Sequence, residues 1–585
     1  MIRLRRAWLA GGIVLGSATL VIPLAVLSGS ANAAPSGAAK PAGYQTQFGS
    51  AHRLIQAASI SSLPHIASSF RNEGPRVLSP VRPTHPSTLG APDAASAGAT
   101  PLGFFSGVSR AFNGVDDLNN VPLIGGEVTP PDQGLCIGRD NTLPFGPEVV
   151  FEPVNETSRE TDTSGNPLRP DVSLATLFQD PYASGDVRCV YDARSQTFIF
   201  TEIGFPVATG PANTSPLPFN TVDDVLVLNR NGVAAYQFDS SQGGTAFGDQ
   251  PKVGFDNNAL VISTDEYTGA QETEIGAIAT VISLPQLVAE ASTVNEATLG
   301  PVSLAGDPVV GLDPAINTGS GTAYFVNSDP FLANGNNNPV GNVLGLWTLT
   351  NSAAVTNGFG TITLSSVVLP SEPYAFPVPA TSTGTGNVTT VGGLPITSEA
   401  ALNPDDSRIT EPVQVTHDLL GGIDLWATLD AAVTPAGDTT ARDGAAWFKV
   451  TVGNLFGGSG ASIARQGYVS ADGAYLLYPA LGVPQFGSPD MVFTITSKTI
   501  NPSAAYTVLG SGKITTEAAG AAAHVSFSDV LFAEPRWGDY SWAQVDPNGS
   551  GVWMATEYIP PATDQDPLDN WGTYVFKVNN FSFNF

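Results

Sequence analysis

Cysteine is almost absent from this chain, with two residues in 585, Cys136 and Cys189. Neither lies in a Cys-x-x-Cys pair or beside a histidine, which excludes the ligand spacings of structural zinc sites. Histidine is nearly as scarce, at five copies. His52, His65 and His85 fall early, so His417 and His524 alone could supply imidazole chemistry later in the chain. No Gly-x-Ser-x-Gly elbow, His-Glu-x-x-His pair, phosphate-binding loop or dinucleotide fingerprint occurs, and the reaction classes built on those motifs lose their support. Basic residues are few as well. Lys and Arg number 24 against 52 Asp and Glu, a net charge of −28. Such a surface repels phosphate backbones, so no nucleic-acid partner is expected.

Only one long apolar run is present, from Ala7 to Leu27. It follows Arg3, Arg5 and Arg6 and precedes Ala31-Asn32-Ala33. That order reads as a signal peptide over 1–33, cut between Ala33 and Ala34. An uncleaved membrane anchor is the alternative, because the run is long enough to span a bilayer. Pro23 and the small residues after Leu27 favour cleavage. No Cys follows the cut to carry a lipid, and Arg5-Arg6 matches the twin-arginine route in that pair alone. The expected protein is secreted, extracellular or associated with the cell envelope, with no membrane span after cleavage. In that oxidising setting the two cysteines are expected to pair as a disulfide.

Residues 34–112 are rich in Ala, Ser, Pro and Gly, as in Pro80-Val81-Arg82-Pro83. Such a composition buries little apolar surface, so this segment reads as a disordered leader with a short helix around His52–Ile60. From about Asn113 to Phe585 the texture changes. Short runs of Val, Ile, Phe and Trp alternate with Gly, Pro, Asn and Asp clusters, the pattern of an all-β domain over 113–585.

A unit recurs along that domain. Gly185-Asp186-Val187-Arg188-Cys189-Val190-Tyr191-Asp192 precedes Thr197-Phe198-Ile199-Phe200. Gly248-Asp249-Gln250-Pro251-Lys252-Val253-Gly254-Phe255-Asp256 precedes Ala259-Leu260-Val261-Ile262. Similar units begin at Gly306-Asp307-Pro308 and Trp537-Gly538-Asp539-Tyr540, and weaker ones near Asp132, Glu411 and Gln466. Each runs acidic residue, short strand, Asp-bearing turn, strongly apolar strand. Strands apolar on successive residues are buried on both faces, as in sheets stacked around an axis. The expected fold is a β-propeller of about seven blades, within a range of roughly six to eight. Two tandem β-sandwiches are the alternative.

In a propeller the acidic starts would gather at one mouth of the central channel. The candidate ligand-binding residues are Asp132, Asp186, Asp249, Asp307, Glu411 and Asp539, with Arg188, Lys252 and Arg536 beside them. Such a ring could bind a metal, with calcium as the candidate. It could also divide acid and base roles in glycoside hydrolysis. The structural alternative is that these carboxylates accept backbone hydrogen bonds. That role is expected above all for the turn aspartates Asp192, Asp256, Asp313 and Asp546. Cys136 and Cys189 hold comparable places in adjacent units, where neighbouring blades would bring them within bonding reach. The aromatics Trp537, Tyr540, Trp542, Trp553, Tyr558 and Trp571 read as core rather than as a sugar platform. The oxygen-rich loop Thr563–Asn570 lacks the calcium-loop pattern of an EF-hand.

The phrases Asp186-Val187-Arg188-Cys189-Val190-Tyr191-Asp192, Asp249-Gln250-Pro251-Lys252-Val253-Gly254 and Arg536-Trp537-Gly538-Asp539-Tyr540-Ser541 resemble those of large secreted bacterial propeller proteins. These are loosely similar to the sialidase-like, BNR-repeat superfamily. The resemblance covers about Pro130–Phe585 and implies a propeller fold, with no assigned reaction for many members. The Ser-x-Asp-x-Gly-x-x-Trp box is missing, since Ser470-Ala471-Asp472-Gly473-Ala474 only begins like it. Three arginines to hold a carboxylate cannot be assigned, so the resemblance does not imply a sialidase. The functional expectation is a secreted propeller that binds a glycan or other extracellular polymer at its channel mouth. The alternatives are a glycoside hydrolase using the same carboxylates and a structural cell-envelope protein.

Overall fold

The computed structural model describes residues 44, 46–68, 105–126, 128–139, 146–183, 185–205, 221–268, 273–328, 340–391, 394–417, 422–453, 460–485, 487–526, 537–549, 551–561 and 570–581. The signal peptide expected over 1–33, the loop Thr563–Asn570 except for Asn570, and Arg536 lie outside them.

Asp-bearing turns reverse the chain after short apolar strands, and the result is a series of antiparallel meanders. In chain order the strands begin with β1 (Gln47–Ala57) and β2 (Phe105–Asp116). The first meander is β3 (Cys136–Arg139), β4 (Glu148–Val154), β5 (Thr157–Asp162) and β6 (Val172–Ser173). The next is β7 (Arg188–Asp192), β8 (Thr197–Gly204), β9 (Val222–Asn229) and β10 (Gly232–Asp239). It is followed by β11 (Ala246–Phe255), β12 (Ala259–Thr268), β13 (Thr273–Ser283) and β14 (Thr293–Leu299). A small hairpin, β15 (Ser303–Leu304) with β16 (Asp307–Pro308), leads into β17 (Asp313–Pro314), β18 (Thr322–Ser328), β19 (Val340–Thr350) and β20 (Thr363–Ala375).

The short strands β21 (Ala380–Thr381), β22 (Val388–Val391), β23 (Leu394–Ser398) and β24 (Ala401–Leu402) form side pairings. Then come β25 (Gln414–His417), β26 (Ile423–Val433), β27 (Arg442–Val452) and β28 (Ala461–Val469). The following meander is β29 (Tyr475–Gly482), β30 (Asp490–Ser497), β31 (Ile500–Val508) and β32 (Ile514–Ala518). After β33 (Val525–Ser526), the last run is β34 (Trp542–Val545), β35 (Val552–Tyr558) and β36 (Gly572–Phe581). Its fourth strand is β2, which pairs antiparallel with β36 from Phe105↔Phe581 to Asp116↔Gly572. The start of the sheet structure thus closes onto its end.

Both-face burial is met where the sequence predicts it. Every residue of β8 is buried, as is every residue of β29 and β35. Trp347, Trp537, Trp542, Trp553 and Trp571 are fully buried. The indole N–H groups of Trp347, Trp537, Trp553 and Trp571 find acceptors, such as Asn327 Oδ1 at 2.7 Å for Trp347 and Val128 O at 2.8 Å for Trp571. Burying a ring of this size stabilises by roughly 2–3 kcal/mol provided the polar end is satisfied. The late aromatics are therefore core, as their pattern suggested. A disulfide joins Cys136 on β3 to Cys189 on β7 across a Cα–Cα distance of 5.4 Å. It ties the first strands of two consecutive meanders.

Two parts of the expected flexible leader are strand instead. The stretch around His52, expected to be helical, is β1. It pairs with β10 on one side and β14 on the other, so two meanders merge into one nine-stranded sheet. Of its residues only Ala51 is buried, so backbone hydrogen bonds to two strand edges hold it rather than an apolar stripe. β2 begins at Phe105, ahead of the expected boundary at 113. Among the described residues no helix is long and apolar enough to cross a membrane.

Candidate functional site

The site is built where the first strands of several meanders begin. Asp132 and Gln133 lead into β3, Asp186 into β7, and Asp539 and Tyr540 into β34. These starts lie close together. At Gly134 a Cβ would come within 3.1 Å of Val187 O and 3.2 Å of Cys189 N, so a larger residue would press the two backbones apart by a few tenths of an ångström. Gln133 Nε2 donates to Tyr540 O at 2.8 Å, and Tyr540 Oη donates to Val187 O at 3.3 Å. Asn155 binds the group from below: its Nδ2 donates to Asp132 Oδ2 at 2.9 Å, and its Oδ1 accepts from Asp186 N at 3.1 Å. Asp132, Asp186 and Asp539 are all buried, and each offers a carboxylate oxygen within 4.8 Å of the others. One oxygen-coordinated divalent cation would bridge such a separation.

Arg188, the first residue of β7, sits beside this group and is fully buried. Its guanidinium stacks over Tyr540, 3.3 Å from the ring centroid, and Nη1 donates to Thr410 O at 2.9 Å. Nε and Nη2 find no hydrogen-bond partner among the described residues. Burial works against the charge, but Tyr540, Glu411, Asp313 and Asp186 hold the pKa above the ordinary arginine value.

Glu411, just before β25, also has both carboxyl oxygens without a hydrogen-bond partner among the described residues, whereas Asp313, the first residue of β17, has the backbone N–H of Val413 beside its carboxyl. Burial drives the Glu411 pKa well above the usual range, with Arg188 offsetting part of the rise and Asp313 adding to it. Asp313 is raised in the same way by burial, against opposing pulls from Lys252 and Arg188. Two carboxyls whose pKa values burial raises therefore share one buried neighbourhood with the Arg188 guanidinium.

Of the sequence candidates, Asp132, Asp186, Arg188, Glu411 and Asp539 meet here. Lys252 lies at the edge, with Nζ 3.1 Å from Asp265 Oδ2, and Asp249 faces Asp265 across β11 and β12. Asp249 Oδ1 accepts from Gln250 N at 3.0 Å. Asp307 does not belong. It lies in the β15–β16 hairpin opposite Leu304, and the unit's true first strand begins six positions later, at Asp313. Gly306-Asp307-Pro308 imitates the start of the repeat but belongs to the turn before it. Asp313, expected in a turn, is accordingly a site residue.

Its three supposed equivalents are turn residues as expected. Asp192 accepts from Arg194 N at 3.0 Å, Asp256 from Asn258 N at 2.7 Å, and Asp546 from Asn548 N at 2.9 Å. His417 is exposed on β25, and His524 is buried edge-on to Trp537. Sequence reasoning missed Asp265 and Arg408, whose Nη1 lies 3.4 Å from Asp265 Oδ2. Asp265 sits on the second strand of its unit and Arg408 in a connection, so neither occupies the repeated acidic position.

No family model matches this chain, and no curated protein matches it. Solved structures do. A Penicillium chrysogenum α-L-arabinanase shares 9% identity over 67% of this chain and 92% of its own, at a TM-score of 0.30. The polysaccharide lyase Uly1 shares 8% over 82% and 100%, at 0.35. A Trypanosoma rangeli sialidase shares 9% over 65% and 52%, at 0.27. At these identities and scores the likeness assigns no family and no activity.

Proposed function

We propose that this chain is an exported, seven-bladed β-propeller that binds a polyhydroxylated extracellular ligand, a glycan or related polymer, where its first strands begin. The blade count rests on seven four-strand meanders, the last completed by β2. One observation carries the ligand reading. Arg188 Nε and Nη2 and both oxygens of Glu411 are buried without hydrogen-bond partners among the described residues, on side chains from two meanders. A sugar hydroxyl donates and accepts at once, so it can serve a guanidinium and a carboxyl together. The net charge of −28 argues against a polyanionic nucleic acid in the same place.

A hydrolytic role is the second reading, favoured by the raised pKa of Glu411, which suits a general acid near neutral pH. A glycan array and a panel of chromogenic glycosides separate the two. The expected result is binding by the wild type that Arg188→Lys weakens by at least about tenfold, with an unchanged circular dichroism spectrum. Turnover abolished by Glu411→Gln would select hydrolysis. Neither binding nor turnover across both panels would refute both readings.

A further inference from the structure

A second buried acidic group, sharing no side chain with the cluster of Asp132, Asp186 and Asp539, lies across the last three strands of the β7–β10 meander. Glu202 on β8 is the direct cross-strand partner of Asp224 on β9, and Asp224 is that of Gln237 on β10. Direct partners project to the same face of a sheet. The three side chains therefore form a row. Asp180, from the connection before β7, completes it: Gln237 Nε2 donates to Asp180 Oδ2 at 3.1 Å and to Asp224 Oδ1 at 3.0 Å.

The strand beneath is shaped to admit them. Gly204 lies two residues after Glu202, on the same face of β8. A Cβ there would stand 2.8 Å from Asp180 Oδ2 and 3.0 Å from Asp224 Oδ2. Glycine inside a fully buried strand weakens it and marks a place where something must come close. Here it lets two carboxylates converge.

Glu202 supplies an independent observation. Its side chain is fully buried, and its carboxylate meets no side-chain donor among the described residues, only the backbone N–H of Gly185. After burial, the groups that act on it most strongly are the carboxylates of Asp224, Glu156 and Asp180. Asp224 is dominated by burial and then by Asp180. No basic side chain figures among these strongest influences, in contrast to Asp265, which pairs with both Lys252 and Arg408. Charge collected in this way must be neutralised by protons or by a cation.

We propose that Asp180, Glu202, Asp224 and Gln237 form a calcium site that ties β8, β9 and β10 to the chain entering β7. Hard oxygen donors suit Ca²⁺, which accepts mixed carboxylate and amide ligands in flexible geometry. The Gln237 amide now directs its N–H bonds at two carboxylates, and turning it presents Oε1 instead. Gln237 is only half-buried, so the ion enters from its side. The site shares no side chain with the cluster of Asp132, Asp186 and Asp539 and does not depend on the blade count.

The test is Ca²⁺ uptake by the full chain in equilibrium dialysis at pH 7.5 and pH 5, with melting temperatures in Ca²⁺ and in EDTA. Uptake at pH 7.5 that is lost at pH 5, where protons compete, is expected. Glu202→Gln and Asp224→Asn should each lower the affinity by at least about tenfold and remove the matching thermal shift. Asp539→Asn serves as comparator for any ion held by the cluster of Asp132, Asp186 and Asp539 and should leave this uptake in place. Undiminished uptake in both Glu202→Gln and Asp224→Asn would overturn the proposal. So would a wild type that takes up no Ca²⁺ while Glu202→Gln is simply more stable at pH 7.5, because protons would then be the neutralising charge. Should neither variant fold, the wild-type dialysis alone decides, and no uptake at pH 7.5 overturns the site.

Discussion

Replacing Glu152 by Gln should make the protein less sensitive to rising pH. Glu152, on β4, is buried against β2 and β36. Its Oε2 accepts from Val115 N at 3.0 Å, and its Oε1 meets the Thr573 hydroxyl. That hydroxyl also donates to Val115 O at 2.9 Å. One hydrogen cannot serve two acceptors, so the network closes best with a protonated carboxyl donating to Thr573 Oγ1. Burial is the main cause that lifts the Glu152 pKa from 4.5 to about 7, against lowering by Thr573 and Arg159.

The folded protein therefore keeps a proton that the unfolded chain gives up, and stability falls as pH rises from about 4.5 to about 7. The difference corresponds to about 3 kcal/mol at most. Gln preserves the network, with Nε2 donating where the acid proton did, and it cannot ionise. Relative to wild type, Glu152→Gln should be near neutral at pH 4.5 and stabilising by about 2–3 kcal/mol at pH 8. Urea midpoints of both proteins at matched pH values read the difference directly. Slopes common to other buried carboxyls, such as Glu266 and Glu557, each raised to about 8, cancel in the comparison. Parallel curves for the two proteins from pH 4.5 to 8 would refute the reasoning.

Three further outcomes are expected. Replacing Cys136 and Cys189 together by Ser opens a bridge spanning 53 residues and should cost about 4 kcal/mol in the chain-entropy model, read by urea unfolding. Asp546→Ala removes the acceptor of Trp553 Nε1 and of the buried Lys577 ammonium, and should destabilise by about 3–5 kcal/mol, with Asp546→Asn milder in the same assay. A chain starting at Ser59 lacks β1 and bares the edges of β10 and β14. It should melt earlier and associate in light scattering, whereas unchanged monomers would contradict the role given to β1.

The repeat was readable wherever it was carried by side chains. Asp186–Asp192 and Asp249–Asp256 mark β7 and β11, because a turn aspartate and a doubly buried strand leave a chemical signature. β1 left none. Its partners recognise its backbone on both edges, so residues such as Ser50, His52 and Arg53 satisfy them without an apolar pattern. The axial group was legible in part. Asp132, Asp186 and Asp539 share a repeat position, each leading into the first strand of its meander, and those starts lie together. Asp307 was misplaced because a short hairpin carries the same Gly-Asp pair ahead of the real strand. Glu202 and Asp224 went unseen for another reason: each lies inside a strand whose register had to be known before they could be placed face to face.

The pairing of β2 with β36 also bears on how the chain matures. Ser109 and Lys577, which meet across this seam, are 468 residues apart. At a synthesis rate of roughly 5–20 residues per second, β2 waits on the order of half a minute or longer for its companion. Throughout that delay it is an exposed edge among half-made sheets. Its Gly107, Ser109, Arg110 and Asn113 break up the apolar residues, a composition that disfavours premature pairing. Completion thus hinges on a latecomer, and a product cut short before β36 would keep its ring unsealed.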